Sequence, residues 1–316
     1  MKQPIKPIDL NHIQTLPLSE RKSLVKVNDA ARPWQKGAPF KDFLDSLPNI
    51  LAGGHVRRVI AAMAAAAKNE KVIILGMGAH VIKVGLNPVV VNLMERGIVS
   101  AVAMNGAGII HDFEIALTGQ TSEDVTASLK DGAFGMADET GVFLCEAIQY
   151  AGHQQIGIGE AVGKSIIGNN LPFADKSILA AAARLGIPVT VHVAIGTDII
   201  HMHPQFDPAA AGEASHRDFR TFAGIVAALE GGVYLNVGSA VILPEIFLKA
   251  VSLARNLGYR LDSFTTVNMD FIAHYRPLTN VVKRPTAQGG QGFNLIGHHE
   301  ILLPLIAAGV IEAIGT

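Results

Sequence analysis

Short apolar runs alternate with longer amphipathic segments along most of the chain. Runs of strand length, rich in β-branched residues and ending in small ones, cover 71–78, 99–108, 188–196, 232–240 and 262–271. Segments with helical spacing cover 47–70, 87–97, 110–119, 177–186, 218–231 and 244–258. This alternation indicates a parallel sheet with helices on both faces. It predicts an α/β fold with a Rossmann-like, doubly wound and mostly parallel sheet. A barrel shows the same alternation and stays open at this point.

Two parts of the chain depart from the alternation. Residues 1–45 are polar and contain several prolines, which predicts an N-terminal arm or irregular cap. The segment 118–175 contains polar turns, and we expect it to form an excursion from the sheet. No low-complexity linker or short repeat divides the remainder, so we predict a single domain over residues 46–316.

The composition favours a globular protein that acts on small molecules. Of 316 residues, 49% are hydrophobic and 17% are charged, and the formal net charge is -1. This balance gives no basic excess for nucleic acid or for an acidic membrane surface. No apolar run reaches membrane-spanning length and no apolar signal core is seen, so we expect a cytoplasmic protein. The mean hydropathy of +0.32 suggests apolar surface that contacts in a homo-oligomer would cover.

The single cysteine, Cys145, excludes an intrachain disulfide and a multi-cysteine metal site. It lies on an apolar helix face, which predicts a core position.

Small residues follow the predicted strands. Ligands of parallel α/β sheets bind at the carboxyl ends of the strands, where loops and helix N-termini present backbone N–H groups. The small residues at these exits are Gly76, Gly78, Gly106, Gly108, Gly238 and Ser239. They would let backbone amides approach a dinucleotide, although a plain tight turn explains each glycine taken singly. Residues 76–81 match only the start of a G-x-G-x-x-G fingerprint, because Val81 stands where the third glycine belongs.

Three stretches, 75–117, 186–203 and 276–309, occur in the order and approximate spacing of the deoxyhypusine synthase family, with GMGAH, GTDIIHMH and GGQGFNLIGHHEILLP among their motifs. The chain resembles this family from about residue 40 to the end. The resemblance implies a Rossmann-like core, a tetramer, and oxidation of a small amine by NAD through an imine. The NAD-binding residues it implies are Gly76, Gly78, Ala79, His80, Asn105, Gly106, Ala107, Gly108, Gly238, Ser239 and Asn268. It also places Asp198 on an aspartate that faces the amine, and Lys283 near the imine-forming lysine.

Several positions differ from the family pattern. The acidic GGEED-like cluster of the family is GIIHD here, so His111 replaces a glutamate. The family's GGGxxKHH stretch is VGSAVILPE, which lacks the histidine expected to shuttle a proton. Lys283 also lacks the tryptophan and glycine that precede the family's lysine. We therefore do not expect a protein substrate. Segment 105–119 is more similar to the NAD-binding domain of ornithine cyclodeaminase-type and LOR/SDH proteins, which act on amino-acid amines with NAD.

Hydride removal from a C–NH group requires a base for the departing proton and a carboxylate for the cationic amine. His111 and Asp112 are the preferred pair for this chemistry, and Asp198 is predicted to face the substrate. The alternative role for each of these two aspartates is to cap the N-terminus of a helix. Lys283 is predicted to form an imine if its surroundings activate the amine, and an exposed loop lysine is the alternative.

His201 and His203 are one residue apart, so in an extended segment both would point to the same face. We predict contact with substrate or cofactor, with a packing role as the alternative. A metal would need further ligands. The candidates are Asp198, Asp207, His216, His298 and His299, without diagnostic spacing, so no metal is assigned.

Together these features predict an NAD-dependent enzyme that acts on a small amine or amino acid through an imine intermediate. Two alternatives stay open. One is a non-catalytic NAD-binding, nucleotide-binding or assembly protein that has lost the proton shuttle. The other is a metal-dependent hydrolase that uses His201 and His203.

Overall fold

A computed structural model describes residues 5–315 of the chain. Its six strands form one open sheet in the order β3-β2-β1-β4-β5-β6, and every neighbouring pair is parallel. In chain order they are β1 (Ile73–Met77), β2 (Ala101–Asn105), β3 (Val189–His192), β4 (Val233–Val237), β5 (Thr265–Asp270) and β6 (Gln291–Ile296). The predicted Rossmann-like sheet is confirmed. A barrel is excluded because β3 and β6 are free edges.

The α-helices are α1 (Phe40–Ser46), α2 (Leu51–Lys68), α3 (His80–Lys83), α4 (Asn87–Glu95), α5 (Gly106–Thr118), α6 (Val125–Ser128), α7 (Asp138–Gln154), α8 (Ile158–Gly168), α9 (Ile178–Leu185), α10 (Pro208–Ala227), α11 (Ile242–Asn256), α12 (Tyr275–Pro277) and α13 (His299–Ile314). Short 3₁₀ turns cover Leu18–Glu20, Val27–Asp29, Ala174–Lys176 and Ile199–Met202, and a π-helical segment covers Leu278–Lys283.

The sheet separates two apolar cores. Ile73, Leu75 and Met77 of β1 face the larger core, which contains side chains of α2, α4, α5, α9 and α13. Ile74 points to the opposite face, where α10 and α11 pack. Because both faces are covered, all five residues of β1 are buried. The alternation of side chains across the sheet thus explains why the central strands are continuously apolar in sequence.

Two helices begin earlier than the sequence pattern predicts. The glycines that follow β2 form the first turn of α5, because the Asn105 side chain accepts a hydrogen bond from the Gly108 N–H at 3.2 Å. Helix α10 begins at Pro208, ten residues before the predicted helix, with Asp207 accepting from the Ala209 and Ala210 N–H groups. An Asp-Pro pair is a recognised start signal that hydrophobic spacing does not register.

The excursion predicted for residues 118–175 is largely helical. It contains α6, α7 and α8, and the buried side chains of α7 and α8 join the larger core. Strand β6 and helix α13 were not assigned by the sequence pattern. In β6, the buried Phe293 alternates with small or polar residues that are more exposed. This mixed pattern is that of an edge strand.

Residues 5–39 form no α-helix or strand, and their large apolar side chains are exposed, among them Ile8, Leu24 and Val27. No helix within residues 5–315 is long and apolar enough to cross a membrane.

Candidate functional site

The carboxyl ends of β1 and β4 meet at the point where the strand order reverses. The chain runs outward from β1 to β3 and then returns to place β4 on the other side of β1. The Gly78 N–H donates to the Val237 carbonyl at 2.8 Å, and a Cβ atom on Gly78 would overlap the carbonyl oxygen of Gly238. The two exits therefore lie side by side at the position where open α/β sheets bind ligands. We call this position the crevice.

Backbone donors line the crevice. The N–H groups of Ala79, Ser239, Ala240 and Val241 form none of the turn and loop hydrogen bonds found in residues 5–315. The Ser239 hydroxyl accepts from the Leu243 N–H at 3.2 Å, which fixes the start of α11. Gly238 has a φ of 69°, a left-handed conformation that allows the chain to turn directly after β4. Successive free amides near a helix start form a suitable environment for a phosphate group.

His299 lies against the same crevice and is 1% exposed. Its Nε2–H donates to the Met269 carbonyl at 3.2 Å, whereas its Nδ1 is buried and has no hydrogen-bond partner among the described residues. A Cβ atom on Gly238 would lie 2.8 Å from Cε1 of the ring. Burial lowers the pKa of His299, although the Met269 hydrogen bond and the Asp270 carboxylate oppose this shift.

From the sequence alone, His299 is only one of several candidate metal ligands. Its position directly after the last strand of a parallel sheet is the signal that would have identified it. That signal requires β6 to be recognised as a strand.

Two predicted cofactor glycines have packing roles. A Cβ atom on Gly76 would lie 2.5 Å from the buried Tyr234 hydroxyl, and one on Gly108 would lie 2.7 Å from the Met104 sulfur. Gly76 is inside β1, and Gly108 is in the first turn of α5. The structure therefore does not place them among the free donors of the crevice. Ala79 and His80 do lie at the β1 exit, where the His80 ring centre is 5.6 Å from that of His299.

Asn268 lies in a row of asparagines that crosses three strands. The Asn236 side-chain amide donates to Asn268 Oδ1 at 2.8 Å, and the Asn268 amide donates to Asn294 Oδ1 at 2.7 Å. The three residues are in register on β4, β5 and β6. The Asn268 side chain is thus held by its neighbours, and it is Asn294 that ends the row at the half-buried edge.

Asp198 lies at the start of α5, beside another group of predicted residues. Its carboxylate accepts from the Ala194 N–H at 3.1 Å and from the Ala107 N–H, and a Cβ atom on Gly106 would overlap it. Burial raises the pKa of Asp198, although these hydrogen bonds and His201 oppose the shift. The structure thus brings Asp198 together with Asn105, Gly106 and Ala107.

His201 and His203 do not share a face, because the segment from Ile199 to Met202 is a 3₁₀ turn and not an extended strand. His203 is buried against Gly141, and its Nε2–H donates to the Gly135 carbonyl at 3.0 Å. His201 Nδ1 accepts from the Gly196 N–H at 3.3 Å. No three His, Cys, Asp or Glu side chains within residues 5–315 are placed to hold a metal ion. The hydrolase alternative therefore has no ligand set in this part of the chain.

His111 and Asp112 do not act as a pair in this structure. Asp112 is fully buried and accepts from the Asn87 amide at 3.0 Å, the Ser177 hydroxyl at 2.5 Å and the N–H groups of Ile178 and Leu179. It caps α9, a helix other than its own.

His111 contacts a different group of side chains. Its Nδ1 is 2.6 Å from the Thr121 hydroxyl, which donates to Glu114, and Thr140 donates to Glu114 at 3.3 Å. Burial raises the pKa of Glu114, but the hydrogen bonds from His111, Thr121 and Thr140 outweigh it and lower the value overall. Glu114, Thr121 and Thr140 of this cluster line a cavity of about 430 Å³ between α5, the following loop and α7.

Lys283 lies at the opposite edge of the sheet from the crevice. The carbonyl of the preceding Val282 packs against Gly292, near the amino-terminal end of β6, and the Lys283 side chain is exposed. Because β6 runs parallel to β5, this end is farthest from Gly78 and Gly238. The structure therefore does not bring Lys283 to the predicted site.

Comparison with known proteins identifies the fold. No family model and no curated protein sequence matches the chain. Among solved structures, a candidate deoxyhypusine synthase from Entamoeba histolytica is similar with a TM-score of 0.54 at 15% identity, over 88% of this chain and 95% of that one. A conserved candidate LOR/SDH protein from Methanococcus maripaludis S2 gives a TM-score of 0.51 at 16% identity, over 83% of this chain and 70% of that one.

A third similar structure is the ternary complex of AgrE with ornithine and NAD+, with a TM-score of 0.50 at 15% identity. The match covers 81% of this chain and only 32% of AgrE. At these identities the similarity establishes the fold. The resemblance to deoxyhypusine synthase-like and LOR/SDH structures is confirmed at that level.

Proposed function

We propose that this protein is an NAD-dependent enzyme that oxidises a small amine or amino acid. The observation that carries the proposal is the crevice between β1 and β4. Within residues 5–315, four backbone N–H groups there make no turn or loop hydrogen bond, and the nearby His299 Nδ1 has no partner. Free amides suit the pyrophosphate of a dinucleotide, and the crevice is at the topological switch point of a Rossmann-like sheet.

The residues at the crevice fit NAD. Ala79, Ser239, Ala240 and Val241 would hold the pyrophosphate through their N–H groups, and Gly78 and Gly238 keep the two exits close together. NAD supplies a hydride acceptor when it is bound. The chain's own task is then to orient the substrate, exclude water and remove a proton from the substrate nitrogen.

Asp198 is the carboxylate that we assign to the cationic end of the substrate. It is buried at the start of α5, and apart from His201 its neighbours are neutral backbone donors. A buried carboxylate without a permanent cation favours a positively charged ligand. AgrE, of which 32% is similar in structure to this chain, forms a ternary complex with ornithine and NAD+.

The cofactor assignment is tested by Val241→Glu, at an exposed residue next to the free amides. We expect calorimetry to show NAD+ binding to the native chain and at least about tenfold weaker binding to Val241→Glu, because the carboxylate repels the pyrophosphate. Val241→Lys should retain binding. Val125→Glu, at another exposed valine near a helix start, is the matched control. Absence of NAD+ binding to the native chain at millimolar concentration contradicts the proposal.

A second candidate is a nucleotide-binding protein without catalysis. The exposed position of Lys283 and the capping role of Asp112 favour it, because two predicted catalytic groups are then absent from the crevice. The two functions differ in one measurement. NAD+ binding without NADH formation from a panel of amines and amino acids supports the second candidate.

A further inference from the structure

The hydrogen-bond pattern defines the protonation of the His299 ring. Because a carbonyl only accepts, the 3.2 Å contact to Met269 requires a hydrogen on Nε2. The neutral ring then carries a lone pair on Nδ1, and this buried atom has no donor among the described residues. A buried acceptor without a donor is unfavourable, because its hydration is lost without replacement. A ligand N–H group at this position would satisfy it.

Neighbouring side chains hold the ring in place. The ring centre of His80 is 5.6 Å away and that of Phe271 is 6.1 Å away, and both rings are inclined steeply to that of His299. Gly238 lies on another side, where only a residue without a side chain fits. The Met269 carbonyl also accepts from the Gly238 N–H at 3.0 Å, so it connects the ring to the β4 exit that presents the free amides.

The surrounding charges suit a residue that gains and loses a proton. Asp270 and Glu300 raise the pKa of His299, His80 lowers it, and burial lowers it most. Asp270 is itself buried at the end of β5, with its carboxylate accepting from the Phe271 N–H at 2.8 Å. His299 is therefore neutral near pH 7, and an acidic group lies close enough to stabilise the imidazolium.

We propose that His299 is the base that takes a proton from a cationic substrate amine at the crevice, an assignment that rests on the proposed function. One N–H bond of the ammonium group breaks, its electron pair stays on the amine nitrogen, and the proton moves to Nδ1. The imidazolium keeps its Nε2–H bond to Met269 and lies near Asp270. The neutral amine that results is the form from which hydride can leave carbon. His299, which follows β6, thus supplies the base that is missing from the residues after β4.

Nitrogen-15 NMR of the full chain tests this assignment on the native protein. At pH 7 we expect His299 to be protonated on Nε2 only. With NAD+ bound, addition of L-ornithine, L-arginine or 1,4-diaminobutane should move the Nδ1 resonance toward the hydrogen-bonded or protonated position. Protonation on Nδ1 in the free protein, or failure of all three amines to move the resonance in the NAD+-loaded protein, overturns the proposal.

Substitution separates the base from a structural role. His299→Gln retains a donor toward Met269 but has no basic nitrogen, so we expect NAD+ affinity to be preserved and kcat to fall by about 100-fold or more. The acidic limb of the pH profile should disappear with it. His298→Gln, at the exposed neighbouring residue, should keep native kcat and pH dependence.

Two results distinguish the failure of this inference from the failure of the proposed function. Amine oxidation that His299→Gln leaves unchanged overturns only the role of His299. If NAD+ does not bind the native protein, the proposed function fails and the assignment of the base fails with it.

Discussion

At the residue scale, His192 shows how burial changes the chemistry of a single side chain. It lies on β3, with Nε2 3.1 Å from the Thr190 hydroxyl and its ring centre 5.4 Å from that of Phe222. Burial lowers its pKa to about 4. No acidic group among residues 5–315 offsets this desolvation, so the folded protein holds His192 neutral well below the pH at which an exposed histidine is charged.

We predict that His192 makes the protein sensitive to acid. The unfolded chain binds the proton with a pKa of 6.5 and the folded chain with a pKa of about 4. The stability is therefore fully present above pH 6.5 and falls by up to about 3 kcal/mol as the pH drops toward 4. Urea unfolding between pH 7.5 and 4.5 should show a smaller loss for His192→Gln than for the native chain.

The exposed His216→Gln is the control for this measurement, and it should behave like the native chain. The comparison between variants is needed because the titration of Asp218 changes the free energy of unfolding in the opposite direction. Burial raises the pKa of Asp218 to about 7, so its contribution falls as the pH rises from about 4 to 7. Parallel pH curves for the native chain and His192→Gln would show that His192 does not titrate as proposed.

At the scale of elements, side chains of one helix complete the hydrogen bonding of another element. Ser215 and Asp218 on α10 accept from the N–H groups of Val193 and Val191, at 3.3 and 3.0 Å along the free edge of β3. Asp218 also accepts from the Gly159 N–H at the start of α8. These side chains take the place of a neighbouring strand, which protects the edge from pairing with another chain.

Asp112 connects α5 to α9 in the same way, and we predict a structural role for it. Asp112→Ala would leave buried donors of Asn87, Ser177, Ile178 and Leu179 without an acceptor. The free energy of unfolding in urea should fall by about 3 kcal/mol or more. Asp124→Ala, which removes an exposed cap from the four-residue helix α6, should cost about 1 kcal/mol or less.

An Asp112→Ala protein with native stability and no NAD-dependent turnover would contradict this role. It would return Asp112 to the catalytic pair predicted from the sequence.

Hydrophobic periodicity located most elements but not their ends. The five strands it predicted are present because buried parallel strands have to be apolar on both faces. It failed at β6, where one face of an edge strand is open, and at the first turns of α5 and α10, where capping side chains determine the start. Caps depend on single polar atoms, which periodicity does not detect.

At the scale of the whole molecule, the predicted N-terminal arm divides in two: Leu44, near its end, is buried in the larger core, whereas residues 5–28 contribute little to the folded body. The first backbone hydrogen bonds that join the arm to the body are made by Asp29 and Arg32. The Asn49 N–H donates to the Asp29 carbonyl, and the Arg32 N–H donates to the Ser46 carbonyl, both at 2.9 Å. The apolar residues before them, such as Ile5, Ile8 and Leu24, bury almost nothing within one chain. Contacts with other copies would cover them in the homo-oligomer expected from the sequence.

We predict that deletion of residues 1–26 changes the free energy of unfolding of the body by less than about 0.5 kcal/mol, because residues 5–26 make no packed core contacts. Thermal and urea unfolding measure this effect. Light scattering of both proteins measures whether the arm affects the number of subunits. A large loss of stability at unchanged molecular mass would contradict the exposed position of the arm.

The sequence by itself determined the parallel sheet and the position of the strand exits. These follow from local properties, since strand periodicity fixes which residues are buried and parallel strands bring their exits to one edge. Only the tertiary structure decided which exit residues carry chemistry. It buried Asp112 in a cap, placed Lys283 at the opposite edge, and brought His299 beside Gly238. The physical reason is that side-chain burial and hydrogen-bond partners depend on contacts between residues distant in the chain, which no local pattern records.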